Sequence, residues 1–117
     1  MEYITYDEFK KMNIQIGTIR EVDPVPETDK LLRCTVDFNE KDEEGNSKLR
    51  QIVSGIHEFY PDFSQLIGKQ VLYIINLEPR TIKGYESNGM LMAVDGKDGK
   101  PVFLTPETEV NPGSKVR

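Results

Sequence analysis

The segment Asn76–Ala93, NLEPRTIKGYESNGMLMA, sets two cations, Arg80 and Lys83, beside the hydrogen-bonding side chains of Asn76, Tyr85 and Ser87. Guanidinium and ammonium groups bind anions, and neighbouring amides and hydroxyls add direction to that contact. The segment is neutral by itself, because Glu78 and Glu86 offset the two cations. Any basic site must therefore draw charge from elsewhere in the chain, and Lys30 and Arg33 are the candidates. A second constellation, Ser54-Gly55-Ile56-His57, places a hydroxyl three residues before an imidazole. With no strained elbow and no acid paired to the imidazole, the pattern does not carry a nucleophile and base. Cys34 and His57, each the only one of its type, do not have the spacing of a zinc or iron–sulfur ligand set. The sequence calls for no metal and no cofactor.

The elements that must position these residues fit in one domain. A chain of 117 residues can bury roughly two-thirds of its unfolded surface around a single core. Charged residues at 30% and hydrophobic residues at 37% are a globular composition. The N-terminus has no basic start followed by an apolar run, and no stretch approaches the ~20 apolar residues of a membrane helix. The expectation is a cytoplasmic protein with no membrane association. A lone cysteine, which cannot form an internal disulfide, fits that compartment. The net charge of −5 argues against nucleic-acid binding driven by bulk charge but leaves room for a focused site. The acidic run DFNEKDEEGN, residues 37–46, reads as a solvated loop.

Thr5-Tyr6-Asp7-Glu8 has the capping-box pattern, so a short helix is expected to about Met12, lying as a lid on a sheet through Tyr6 and Phe9. The period then changes to two, giving a strand from Asn13 to about Val22. Gly17 within it predicts a bend or bulge, and the prolines at 24 and 26 predict a loop. Leu32, Cys34, Val36 and Phe38 share one face of the next strand, and Arg33, Thr35 and Asp37 the other. Cys34 thus reads as a small core residue. Lys30 and Arg33 fall side by side near the strand's start, facing water. A turn at Gly45-Asn46 leads to a third strand, about Leu49 to Ser54, and a short helix or turn over 59–66 follows. Further strands are expected at Gln70–Asn76, Met90–Val94 and Val102–Leu104. Five or six short strands with a helix between the third and fourth suggest an all-β small closed barrel. An OB fold, an SH3-like barrel and a split sandwich share this pattern.

Three segments go further: Thr28-Asp29-Lys30-Leu31-Leu32, Arg50-Gln51-Ile52-Val53-Ser54-Gly55-Ile56, and Asn76-Leu77-Glu78-Pro79-Arg80 running on to Ser87-Asn88-Gly89-Met90. With the tail Leu104–Glu107 and Val110–Gly113, they resemble the structure-specific tRNA-binding domain of bacterial methionyl-tRNA synthetases. Free-standing subunits and the endothelial-monocyte-activating-polypeptide domain are related forms. The resemblance spans Tyr6 to Val116. It implies an OB-fold five-stranded Greek-key barrel with terminal extensions, and a homodimer formed partly through them. It also implies recognition of the tRNA elbow by shape, and the length is similar to that of free-standing members such as a methionyl-tRNA synthetase beta subunit. Glu78 stands where many relatives carry a basic or small residue, which would weaken phosphate affinity, and Asn88 stands where an acid or amide is usual.

On that resemblance Lys30, Arg33, Arg80 and Lys83 supply phosphate contacts, since cations on a rigid face can follow a folded RNA backbone. Asn76 and Ser87 would hydrogen-bond sugar or phosphate, and Ser54 would end its strand close to the RNA. Some of these residues also have structural readings. Asn76 equally fits a residue that fixes the turn after the apolar strand, and Met90 fits a core gap-filler as well as an RNA contact. Tyr85 fits a packed turn residue better than a base-stacking one. The methionyl-tRNA synthetase catalytic subunit is the implied protein partner. The same fold family also includes a chaperone-like protein, so a peptide-binding dimer is the alternative.

Overall fold

The computed structural model describes residues 1–117, and its first ordered element follows from the capping box. Thr5 Oγ1 accepts from the Glu8 backbone N–H at 3.1 Å while the Glu8 side chain accepts from the Thr5 N–H, starting helix α1 (Tyr6–Lys11). A helix of six residues is too short to persist alone. It is held at its far end by Asn76, whose side chain donates to the Lys11 carbonyl at 2.7 Å and accepts from the Asn13 N–H at 2.8 Å. The helix buries no residue, so it is not the lid expected; Tyr6 is exposed and only Phe9 is partly covered.

Strands β1 (Ile14–Pro24), β2 (Leu32–Lys41), β3 (Ser47–Ser54) and β4 (Gln70–Ile74) follow, then a hairpin of β5 (Arg80–Ile82) and β6 (Tyr85–Ser87). After it come β7 (Met90–Leu91), β8 (Ala93–Asp95) and β9 (Pro101–Phe103). The main sheet is antiparallel with order β3-β2-β1-β4-β7, while β5-β6 and β8-β9 form two-stranded ribbons. Two short 3₁₀ turns, His57–Phe59 and Phe63–Leu66, stand where the helix between strands three and four was expected.

Strict alternation places Leu32, Cys34, Val36 and Phe38 inward along β2. They meet Ile19, Ile52, Leu66, Val71 and Tyr73, and the Phe38 and Tyr73 rings pack edge to face at 5.4 Å. Burial, with Asp23 adding to it, pushes the Cys34 thiol up to about 11, as suits a core residue.

Three details of β1 differ from expectation. Gly17 makes no bulge: pairing with β4 runs unbroken through it, and the irregularity lies at Arg20, between Ile19 and Glu21. A Cβ at Gly17 would lie 2.5 Å from Val36 Cγ1 and 2.6 Å from Phe38 Cε1, so glycine here admits the neighbouring strand's side chains. The strand also extends to Pro24, opposite Leu32. Since β4 covers only Ile14–Thr18, the second half of β1 is locally an edge, where proline's missing donor is tolerated.

The sheet curls into an OB-like half-barrel. Its closing side is made where the Asn88 N–H donates to Gln51 O at 2.8 Å and the Val53 N–H donates to Ser87 Oγ at 3.0 Å. The C-terminal tail returns along the first half of β1, on the edge that β2 leaves open, with the Ile16 N–H donating to Ser114 O and the Val116 N–H donating to Ile14 O. The run expected as one strand from Met90 to Val94 is split: β7 completes the main sheet, and β8 turns away to pair with β9. No helix is long and apolar enough to cross a membrane.

Candidate nucleic-acid interface

The hairpin β5-β6 is the element that sequence reading did not resolve. Its two-residue turn has positive φ at both central positions, Lys83 at 51° and Gly84 at 85°, the geometry that matches strand twist in tight hairpins. Arg80 consequently pairs with Ser87, and Ile82 with Tyr85. The Ser87 bond to Val53 and a Gln51 side-chain bond to Glu86 O at 2.9 Å clamp the hairpin to the outer edge of β3.

This clamp brings Ser54, Arg80 and Met90 to one groove of about 400 Å³, whose apolar lining includes Val53, Ile82 and Leu91. A smaller cavity beside it is lined by Glu78, Arg80, Ser87 and Met90. Met90 is half-exposed, so its thioether is available to a ligand and is not core filling. Arg33 joins from β2: its guanidinium lies 5.5 Å from the centre of the Tyr85 ring and is paired with Asp23 at 2.9 Å. Tyr85 is therefore a partly covered platform for Arg33. Lys83 sits exposed at the hairpin tip. Lys30 is exposed in the loop before β2; its amide donates to Thr28 Oγ1 and its carbonyl accepts from His57 N–H. Neither lysine lines the groove itself.

Two predicted contacts have their polar groups committed inside the protein. The buried Ser87 hydroxyl accepts from Val53 and donates to Gly89 O at 3.3 Å. Asn76 bonds Lys11 and Asn13, distant backbone and not the local turn, and stands with α1, outside the groove lining. Ser54 and His57 form no catalytic pair: the imidazole packs edge-on against Phe63 at 5.6 Å, and its buried Nδ1 has no hydrogen-bond partner.

The charge distribution separates structural cations from available ones. Arg20, Arg33 and Arg50 are each paired, with Asp37, Asp23 and Glu40. Arg50 is the residue that sequence reading undervalued: it grips Glu40 through two nitrogens at 2.7 and 3.0 Å and donates to Ile75 O and Asn88 O. It thereby ties β3 to the ends of β4 and β6. Its place in RQIVSG, on the same strand as Ser54, was the only available signal. Lys30, Arg80 and Lys83 have no carboxylate within ion-pair distance, leaving their charge for a ligand.

Residues 14–115 match the family model described as "Putative tRNA binding domain". The chain belongs to this tRNA-binding domain family. The domain is 45% identical over 116 residues to the methionine–tRNA ligase of Parabacteroides distasonis, covering 99% of this chain and 16% of that protein. It is 39% identical over 118 residues to the methionine–tRNA ligase of Thermococcus kodakarensis, covering 15% of it. The tRNA-binding domain here thus spans about one-sixth of the synthetases it matches. Among solved structures, a methionyl-tRNA synthetase-related protein from Pyrococcus horikoshii superposes with a TM-score of 0.85 at 32% identity, covering 100% of both chains. The CsaA chaperone protein from Picrophilus torridus gives 0.79 at 28% identity, covering 98% of this domain and 100% of that chain. The segments Thr28–Leu32, Arg50–Ile56 and Asn76–Met90 are therefore those of a true family member, on the OB-like frame expected for it.

Proposed function

We propose that this chain is a non-catalytic, shape-selective tRNA-binding module. It works in the cytoplasm as a homodimer that adds tRNA affinity to methionyl-tRNA synthetase, as a beta subunit or an accessory protein. The observation that carries the reading is the β5-β6 hairpin of a tRNA-binding domain holding unpaired Arg80 and Lys83 beside the Ser54–Met90 groove. Phosphates of a folded RNA contact Arg80, Lys83 and Lys30, and these contacts read the spacing of the backbone and not base identity. Glu78, on the wall of the adjacent cavity, tempers that attraction.

An acidic monomer whose hairpin carries only Arg80 and Lys83 gains from two copies. A dimer doubles the cationic footprint, and the second contact becomes intramolecular once the first is made. The exposed Tyr3, Ile4 and Tyr6, and the cleft of about 300 Å³ between α1 and Lys115–Arg117, offer the apolar surface for that association.

The second reading, a peptide-binding dimer, is favoured by the likeness to the CsaA chaperone protein and by the apolar part of the groove. Fluorescence anisotropy separates the two: full-length tRNA and an unfolded peptide are titrated at low and high salt. The expected result is tRNA binding that weakens with salt while the peptide does not compete. Peptide binding without tRNA binding would overturn the proposal.

A further inference from the structure

Alternation along the end of β6 turns Ser87 inward to Val53, while Glu86 and Asn88 line a separate cleft of about 400 Å³. That volume lies within the range of small-molecule sites. Leu49, Ile75 and Leu77 supply its apolar surface, and Lys48 is its cation. Arg50 lines the cleft too, but its nitrogens are occupied by Glu40, Ile75 O and Asn88 O, so it serves as wall.

The backbones of the two recognising residues are fixed while their side chains are free. Glu86 O accepts from the Gln51 side chain, the Asn88 N–H donates to Gln51 O, and Asn88 O accepts from Arg50. The Glu86 carboxylate, the Asn88 amide and the Lys48 ammonium have no hydrogen-bond or ion-pair partner in the protein. The cleft therefore combines apolar walls with one double acceptor, one amide and one cation on a clamped frame.

We propose that this cleft takes a single unstacked guanine base of the bound RNA, an inference that rests on the tRNA-binding reading above. Guanine presents two adjacent donors, N1–H and N2–H, that match both oxygens of Glu86, and its O6 and N7 accept from Asn88 or Lys48. Its faces cover Leu49 and Leu77. Adenine, cytosine and uracil lack the paired donors. An arginine side chain offers a similar fork to Glu86, but it leaves Asn88 and Lys48 without an acceptor and sets one cation against another.

The test is an amide-shift titration of the full ¹⁵N-labelled chain with GMP, AMP, CMP, UMP and N-acetylarginine amide, in wild type and Glu86→Gln. GMP is expected to move the amides of Lys48–Arg50 and Glu86–Asn88 with about tenfold preference over AMP. Glu86→Gln removes that preference while the remaining amides keep their positions. Equal response to all nucleotides, response to the arginine probe alone, or no response overturns the proposal. A parallel titration with full-length tRNA keeps the two readings apart. Wild type that binds no tRNA sinks the module reading, whereas tRNA binding without a GMP preference sinks the guanine cleft alone.

Discussion

Ser87 shows how a polar residue in a binding segment is used for construction. Its hydroxyl accepts from the buried Val53 N–H, so Ser87→Ala takes that partner away from a buried donor. The expected cost is about 1–3 kcal/mol, read as a lower urea midpoint with an unchanged slope; an unaltered midpoint would contradict the assignment. Asp37 makes a pH-dependent contribution of the opposite kind to a buried acid's. The Asn39 backbone N–H, and then Arg20, hold its carboxyl below the ordinary value of 3.8. A depressed carboxylate stabilises the fold fully above its unfolded value and loses that contribution as pH falls through the folded value. Asp37→Asn should therefore be less stable than wild type at neutral pH, with the difference closing only in acid below pH 3.8. A difference that stays constant from neutral pH to pH 2 would rule this out. At this scale the exposure of Arg80 and Lys83 was legible from side-chain type, whereas Met90 stood open between core filling and surface until the fold showed it half-exposed. The sequence was not legible for Ser87 and Asn76, because hydroxyls and amides serve distant backbone as well as ligands. Only the folded chain shows which partner they took.

The elements divide along the same line. Strand β2 was read to within a few residues because alternating Leu32, Cys34, Val36 and Phe38 admit only one face inward. The hairpin β5-β6 was missed because its strands have three residues each and Lys83-Gly84 replaces the Asn-Gly signal that usually marks such a turn. A bulge at Gly17 was expected wrongly for a related reason: a glycine inside a strand marks either a bulge or a close approach, and only the positions of Val36 and Phe38 decide between them. For α1, its capping box is local, but its attachment through Asn76 is not. Asn76→Ala should unfasten the helix, with faster amide exchange at Phe9, whose N–H bonds Thr5 O. If α1 forms part of the dimer contact, sedimentation of this variant shifts toward the 13.4 kDa monomer. Phe9 exchange and sedimentation both equal to wild type would remove Asn76 from that role.

For the whole molecule, the apparent conflict between an acidic chain and an RNA partner is resolved by how the charges are distributed. Three arginines are used by carboxylates within the fold, and the hairpin carries cations that the fold does not use. Net charge therefore reports solubility, while a site depends on where unpaired cations are placed, here Arg80 and Lys83 on the hairpin beside the groove. The barrel supplies the rigidity, and in the proposed dimer the terminal segments would supply the surface for the second copy. The central claim concerns the hairpin cations, and the salt dependence of tRNA affinity tests it most directly. Measured from low to moderate salt, the slope of log K against log salt should fall by about one unit each for Arg80→Ala and Lys83→Ala. The affinity loss should be similar across tRNA species. A double variant that binds tRNA as tightly as wild type, with the same slope, would contradict the account.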